Sequence, residues 1–188
     1  MGIGYEGTYI SIYDFDKVEQ ENCAGGIFPE SDSGTGIFKV SSIKNFIGGI
    51  NSARIIAIPE RYTNQPIFDE IVILCLDDIQ GRLRIVNEIV QNSPNVKLII
   101  DTRSGWHQGQ VFALDTSDKR KIEKWKETLN PNVVEELPCG AKAVAYNPVT
   151  IAGYVCAILR NFFNDEEPPY EFFVLHSVPI YDIKRNIG

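Results

Sequence analysis

Apolar and polar positions alternate over 8–15, "TYISIYDF", and the residues are mostly β-branched or aromatic, so the pattern predicts a strand. The stretch 23–36, "CAGGIFPESDSGTG", is rich in Gly, Ser and Pro and reads as a loop. Apolar residues then recur at helical spacing over 37–50, and Gly48-Gly49 mark the stop. A short apolar strand is expected over 53–60. The run over 69–78, "DEIVILCLDD", is almost continuously apolar and ends in acids, which suits a strand buried on both faces of a parallel sheet. A helix over 79–93 ends before Pro94, and a second buried strand follows over 95–104. The alternating stretch 109–115 predicts an antiparallel strand, and 118–129 a charged surface helix. The segment 149–163 is apolar nearly all round and predicts a buried helix, with a closing strand over 170–177.

Strand, helix, strand, helix, strand predicts an α/β sheet with helices on both faces. No internal repeat and no linker interrupts the chain, so 1–188 reads as a single domain. Ligands of such sheets bind outside the carboxyl ends of the strands. Three strand ends are expected to carry acids there: Asp14 with Asp16, Asp77 with Asp78, and Asp101. One acid at a strand end is an ordinary loop residue, but three on one expected edge point toward a site.

Composition narrows the classes of function. The 188 residues suffice for a domain with a real core, and 44% hydrophobic with 23% charged residues is ordinary for a globular chain. A net charge of −7 disfavours nucleic acid and anionic membrane surfaces as partners. No apolar run is long enough to span a bilayer, and "MGIGYEGTY" lacks the basic and apolar regions of a signal peptide. Cys23, Cys75, Cys139 and Cys156 form no CxxC pair, which argues against a structural zinc site or a disulfide scaffold. Cys75 and Cys156 read as small core residues, and a reducing, cytoplasmic setting fits.

Four short motifs now fall in a meaningful order. Asp14-Phe15-Asp16-Lys17-Val18-Glu19 with Asn22 fits D-x-D-x-V-E-x-x-N, and Gly36-Ile37-Phe38-Lys39 fits G-x-x-K. Leu76-Asp77-Asp78 with Arg82 is close to T-D-N-x-x-x-R, with Leu for Thr and Asp for Asn. Gly109-Gln110-Val111 fits G-Q-V, and "PCGAKAVAYNPVTIAGYVCAIL" is similar to a final core helix and the turn before it. In this order the chain resembles the ThiF/MoeB-type adenylyltransferases, whose fold is shared with ubiquitin-activating enzymes. The resemblance implies a Rossmann-like, mostly parallel sheet with antiparallel strands toward the C-terminus. It implies an enzyme that uses ATP to adenylylate the C-terminal carboxylate of a small β-grasp, ubiquitin-like or sulfur-carrier protein.

By that resemblance Asp14, with Asp16 beside it, accepts hydrogen bonds from ribose hydroxyls, while Asn22 and Lys39 approach the phosphates. Asp77 holds Mg²⁺, which takes one or two carboxylates together with phosphate oxygens. Asp77 and Lys39 are then the catalytic pair, and Arg82 orders the chain after its strand. Cys139, beside a glycine turn and Lys142, is the best placed of the four for a reactive or thioester role, although packing in the turn is the commoner use. His107, His176 and Trp106 read as loop, edge and packing residues.

Two departures bear on activity. Family members begin with a strand, a glycine-rich turn and a helix ahead of the D-x-D strand, whereas only about a dozen residues precede Asp14 here. "GIGYEG" fits G-x-G-x-x-G through Gly2, Gly4 and Gly7 but has no strand before it and a strand after it, so it is not a phosphate loop. The first βα unit of the family is expected to be missing. Gly25-Gly26 also stand where the family has an R-Q pair, and an arginine on transferring phosphate is worth about a thousandfold or more. A second reading is therefore a non-catalytic member that serves as an interaction or heterodimer subunit. A homodimer or hetero-oligomer is expected on either reading, because the first strand present would otherwise expose its edge. A plain dinucleotide oxidoreductase is disfavoured by the same missing turn.

Overall fold

The alternating run at the start of the chain forms β1 (Tyr9–Tyr13), which lies parallel to β2 (Arg54–Ile58), with Tyr9 opposite Arg54 and Tyr13 opposite Ile58. Parallel neighbours need a crossover. Here it runs through α1 (Gln20–Cys23), a single 3₁₀ turn at Glu30–Asp32, and α2 (Lys39–Ile50). The structure is a computed structural model, and it describes residues 9–24, 27–50, 54–104, 108–129, 146–166 and 175–176. The chain divides into two compact units, Met1–Gln65 and Pro66–Gly188.

In the first unit α2 packs on β2, and Val18, Val40 and Ile55 supply the buried apolar side chains. The loop before α2 is pinned by polar groups. Ser42 is buried and its hydroxyl donates to the Asp32 carboxylate at 2.6 Å, while the Thr35 hydroxyl donates to the Asp32 carbonyl at 2.7 Å. Gly36, the glycine of G-x-x-K, has φ +81°, a left-handed backbone that strains any residue with a Cβ.

Among the described residues the second unit holds a four-stranded sheet in the order β3-β4-β5-β6. β3 (Ile71–Leu74) runs parallel to β4 (Leu98–Ser104), and α3 (Ile79–Asn92) makes the crossover. β5 (Gln108–Asp115) turns back antiparallel to β4, and β6 (Leu175–His176) is antiparallel to β5. Helices α4 (Lys119–Glu127) and α5 (Tyr146–Phe163) complete the unit. Alternate side chains of a strand face opposite sides. Leu98, Ile100, Val111 and Ala113 accordingly form one core with Ile151, Val155 and Ile158 of α5. Ile99, Asp101, Phe112 and Leu114 face the other way, where Arg82 of α3 and Trp125 of α4 bond to Asp101. Helices thus cover both faces of this sheet. Gly109, the glycine of G-Q-V, lets α5 approach, since a Cβ there would stand 2.8 Å from the Ile151 side chain.

The fold is mixed α/β, with one parallel and one mixed sheet. Among the described residues two strand pairings are parallel and two antiparallel, and the antiparallel ones fall toward the C-terminus as expected. No helix among the described residues is long and apolar enough to cross a membrane.

Three sequence expectations are corrected. The run over 69–78 yields a strand of four residues, and Ile73 is 42% exposed. Its burial is thus incomplete, and among the described residues it pairs with β4 alone. Helix α5 is buried on one face only, and Val149 and Phe163 are each 64% exposed on the other. Apolar residues all round a helix do not guarantee a second layer to cover it. Cys75 and Cys156 are exposed rather than core residues. Cys75 follows the last residue of β3, and Cys156 lies on the outer face of α5.

Candidate functional site

The first cluster of candidate residues forms where β1 leaves its sheet. The Asp14 N–H still donates to the Ile58 carbonyl, at 3.2 Å, so the pairing with β2 runs one residue past Tyr13. The Asp14 carboxylate then accepts the Asp16 N–H at 2.7 Å, which turns the chain away. The G-x-x-K segment is joined to this turn through the backbone. The Lys39 N–H donates to the Asp16 carbonyl at 2.8 Å, and the Val18 N–H to the Ile37 carbonyl at 2.9 Å. These bonds place the Lys39 ammonium 3.0 Å from the Asp16 carboxylate, with the two side chains 22% and 52% exposed. Asp14 Oδ1 is occupied, while Oδ2 takes no hydrogen bond among the described residues.

Asn22 plays a local part. Glu19 caps α1, and the Asn22 amide oxygen accepts the Glu19 N–H at 2.9 Å while the Glu19 side chain accepts the Asn22 N–H. An acid followed three residues later by an amide is a reciprocal cap, and it satisfies donors that a helix start leaves open. That use accounts for the E-x-x-N spacing without a ligand.

In the second unit the neighbouring acids Asp77 and Asp78 differ. Asp78 caps α3, accepting the N–H groups of Gln80 at 3.0 Å and Gly81 at 2.9 Å. Asp77 is exposed, and its carboxylate has no partner among the described residues. One uncommitted carboxylate suits Mg²⁺ only where phosphate oxygens supply further ligands. Among the described residues no three His, Cys, Asp or Glu side chains gather into a self-sufficient metal site.

Asp101 overturns the expectation of a third acid at a strand end. It lies inside β4, opposite Phe112, and is wholly buried. Arg82 donates to Asp101 and, at 2.9 Å, to the Thr102 carbonyl. Arg103 Nε and Trp125 Nε1 each donate to Asp101 at 2.9 Å. Arg103 also stacks over the Phe112 ring at 4.3 Å. Burial pulls the Arg103 pKa below the usual arginine range, and Asp101 opposes that shift. Arg82 thereby ties α3 to β4. Sequence reasoning missed Arg103 and Trp125. The signal for Arg103 was the i, i+2 spacing in "LIIDTRS", which sets Asp101 and Arg103 on one face.

The structure thus brings Asp14, Asp16, Asn22 and Lys39 together in the first unit, and Asp77 lies in the second. Cys139, Trp106, His107 and the Gly25-Gly26 pair lie outside the described residues, and His176 falls in β6.

No family model and no curated protein matches this sequence. Solved structures do. The chain is similar to E. coli MccB crystallised with SeMet MccA, with a TM-score of 0.59 and 15% identity over 92% of this chain and 57% of that one. Against E. coli MccB with ATP the TM-score is 0.56, at 15% identity over 92% of this chain and 57% of the other. Against SeMet PaaA it is 0.57, at 15% identity over 87% and 59%. The chain spans a little under three fifths of the length of these structures. At this identity the likeness is one of fold, and the chain shares the fold of MccB and PaaA.

Proposed function

We propose that the chain is a ThiF-type, ATP-dependent adenylyltransferase that activates the C-terminal carboxylate of a small β-grasp, ubiquitin-like or sulfur-carrier protein. The observation that carries the reading is the Asp14–Asp16–Lys39 cluster at the carboxyl end of β1, on a fold like that of MccB. MccB has been crystallised with ATP and with MccA, which supports a nucleotide and a second substrate for this fold. In this reading 1–188 acts as one Rossmann-like domain in a cytoplasmic setting, as a homodimer or with another chain.

Each group has a task that its chemistry allows. The uncommitted Asp14 oxygen accepts a ribose hydroxyl. Asp16 fixes the Lys39 ammonium, a compact charge suited to phosphate oxygens. The Asn22 amide nitrogen remains for the phosphates, since its oxygen is held by the cap. Asp77 would hold Mg²⁺, which when bound neutralises charge on the departing pyrophosphate. The substrate carboxylate attacks the α-phosphorus, the bond to the β-phosphate oxygen breaks, and pyrophosphate leaves.

Isothermal titration with ATP and Mg²⁺ tests the reading. Saturable micromolar binding is expected, and Asp77→Ala removes it. No heat from the purified chain defeats the reading. Gly25-Gly26 in place of R-Q favours a second reading, a non-catalytic interaction subunit. Pyrophosphate exchange by the isolated chain and its carrier excludes that alternative.

A further inference from the structure

The strand β2 has a second edge that no described strand occupies, since β2 pairs with β1 alone among the described residues. Along that edge runs an open groove of about 440 Å³ between β2 and α2. Four consecutive strand residues line it, Arg54 to Ala57, with Lys44 and Gly48 of α2 opposite. Successive strand residues point to opposite faces, so only an edge seen lengthwise lets four in a row line one groove. The helix side is open at Gly48, where a Cβ would meet nothing within 4 Å.

The charges say what fits. Lys44 and Arg54 are both exposed, and neither makes an ion pair or a side-chain hydrogen bond among the described residues. Two unpaired cations on one groove stand out in a chain of net charge −7. Ile56, 37% exposed, supplies an apolar position two residues along the strand from Arg54. A second copy presenting the same edge offers no acid over 54–57 to meet Lys44 and Arg54, which disfavours self-pairing. An acidic strand supplies one.

We propose that this groove takes an extended, acidic peptide segment of a partner protein, which adds as a strand to the free edge of β2. Main-chain hydrogen bonds would supply the affinity, and Lys44 and Arg54 would select carboxylates at alternate positions. The four lining residues match about 13 Å of extended peptide. This site is separate from the residues assigned to ATP and does not rest on that assignment.

The test is titration of the ¹⁵N-labelled chain with the peptide Ac-EVEVEV-NH2, followed by amide shifts and hydrogen exchange. Saturable shifts confined to 54–57 and the facing turn of α2, with slowed exchange over 54–57, are expected. The double variant Lys44→Glu, Arg54→Glu should keep its Tm, lose about tenfold or more in affinity, and accept Ac-KVKVKV-NH2 instead. Absence of shifts at millimolar peptide, shifts outside the groove, or equal binding of Ac-KVKVKV-NH2 by the unaltered chain would each overturn the proposal. Protection of 54–57 that grows with chain concentration and without peptide would overturn it too, in favour of self-pairing.

Discussion

The two units use acids in opposite ways. In the second, Asp101 is wholly buried and accepts from Arg82, Arg103 and Trp125. In the first, Asp14 and Asp16 stand at the end of a strand, and the ion pair of Asp16 with Lys39 is open to water. A carboxylate taken out of water must have its lone pairs filled by protein, so it is committed to the fold. A carboxylate left in water contributes little to stability and keeps capacity for a ligand. Position in the sequence does not separate the two kinds, because all three acids follow apolar runs. Burial does.

The largest effect should follow from Asp101→Asn, which nearly keeps the volume but leaves the buried Arg82 and the half-buried Arg103 without a counter-charge. Breaking a buried pair in this way costs about 3–5 kcal/mol. Urea denaturation measures it. If Asp101→Asn costs no more than Asp16→Ala, the contrast between the units is wrong. Next comes Gly109→Ala, which pushes a methyl group against Ile151 and should cost about 1–3 kcal/mol by overpacking where α5 meets the sheet. No loss of Tm would mean that α5 can back away.

Asp77 and Asp78 repeat the contrast within one dipeptide. Asp78→Ala removes the cap of α3 and should cost about 1 kcal/mol. Asp77→Ala touches no partner among the described residues and should change stability by less than about 0.5 kcal/mol while abolishing binding of ATP with Mg²⁺. Thermal melts paired with calorimetry separate the two. A loss of nucleotide from Asp78→Ala alone would reverse their roles.

Strands and long helices were legible because burial on one face leaves a period of two or 3.6 in the residue types. The D-x-D and G-x-x-K segments were legible as a pair, and backbone bonds between 16–18 and 37–39 explain why they travel together. Elsewhere the pattern underdetermined the structure. Four residues of α1 carry no periodicity, and the E-x-x-N spacing that marks its start serves a reciprocal cap as well as it fits a nucleotide motif. The apolar run around β3 gives the same pattern whether one neighbour or two flank the strand. Ala152, Gly153 and Cys156 make α5 look apolar all round, yet residues this small lie exposed at little cost. Asp101 reads as an edge acid because two of its three donors come from 82 and 125, contacts that only the fold assembles.

The smallest predicted effect is the most discriminating for the first unit. Lys39 is the first residue of α2, where the helix dipole is positive and a cation is unfavourable. Asp16 offsets that at 3.0 Å. Removing the acid exposes Lys39 to the dipole, whereas removing the lysine leaves a carboxylate in the favourable field. Asp16→Ala should therefore cost up to about 1 kcal/mol, and Lys39→Ala less than half of that. Both differences should shrink when salt rises from about 0.05 M to 0.5 M, since the screening length falls from roughly 14 Å to 4 Å. Urea midpoints at the two salt concentrations measure this. Equal costs that ignore salt would mean that the pair behaves like Asp101 and its arginines, and Lys39 would then be part of the framework rather than a cation held ready for phosphate.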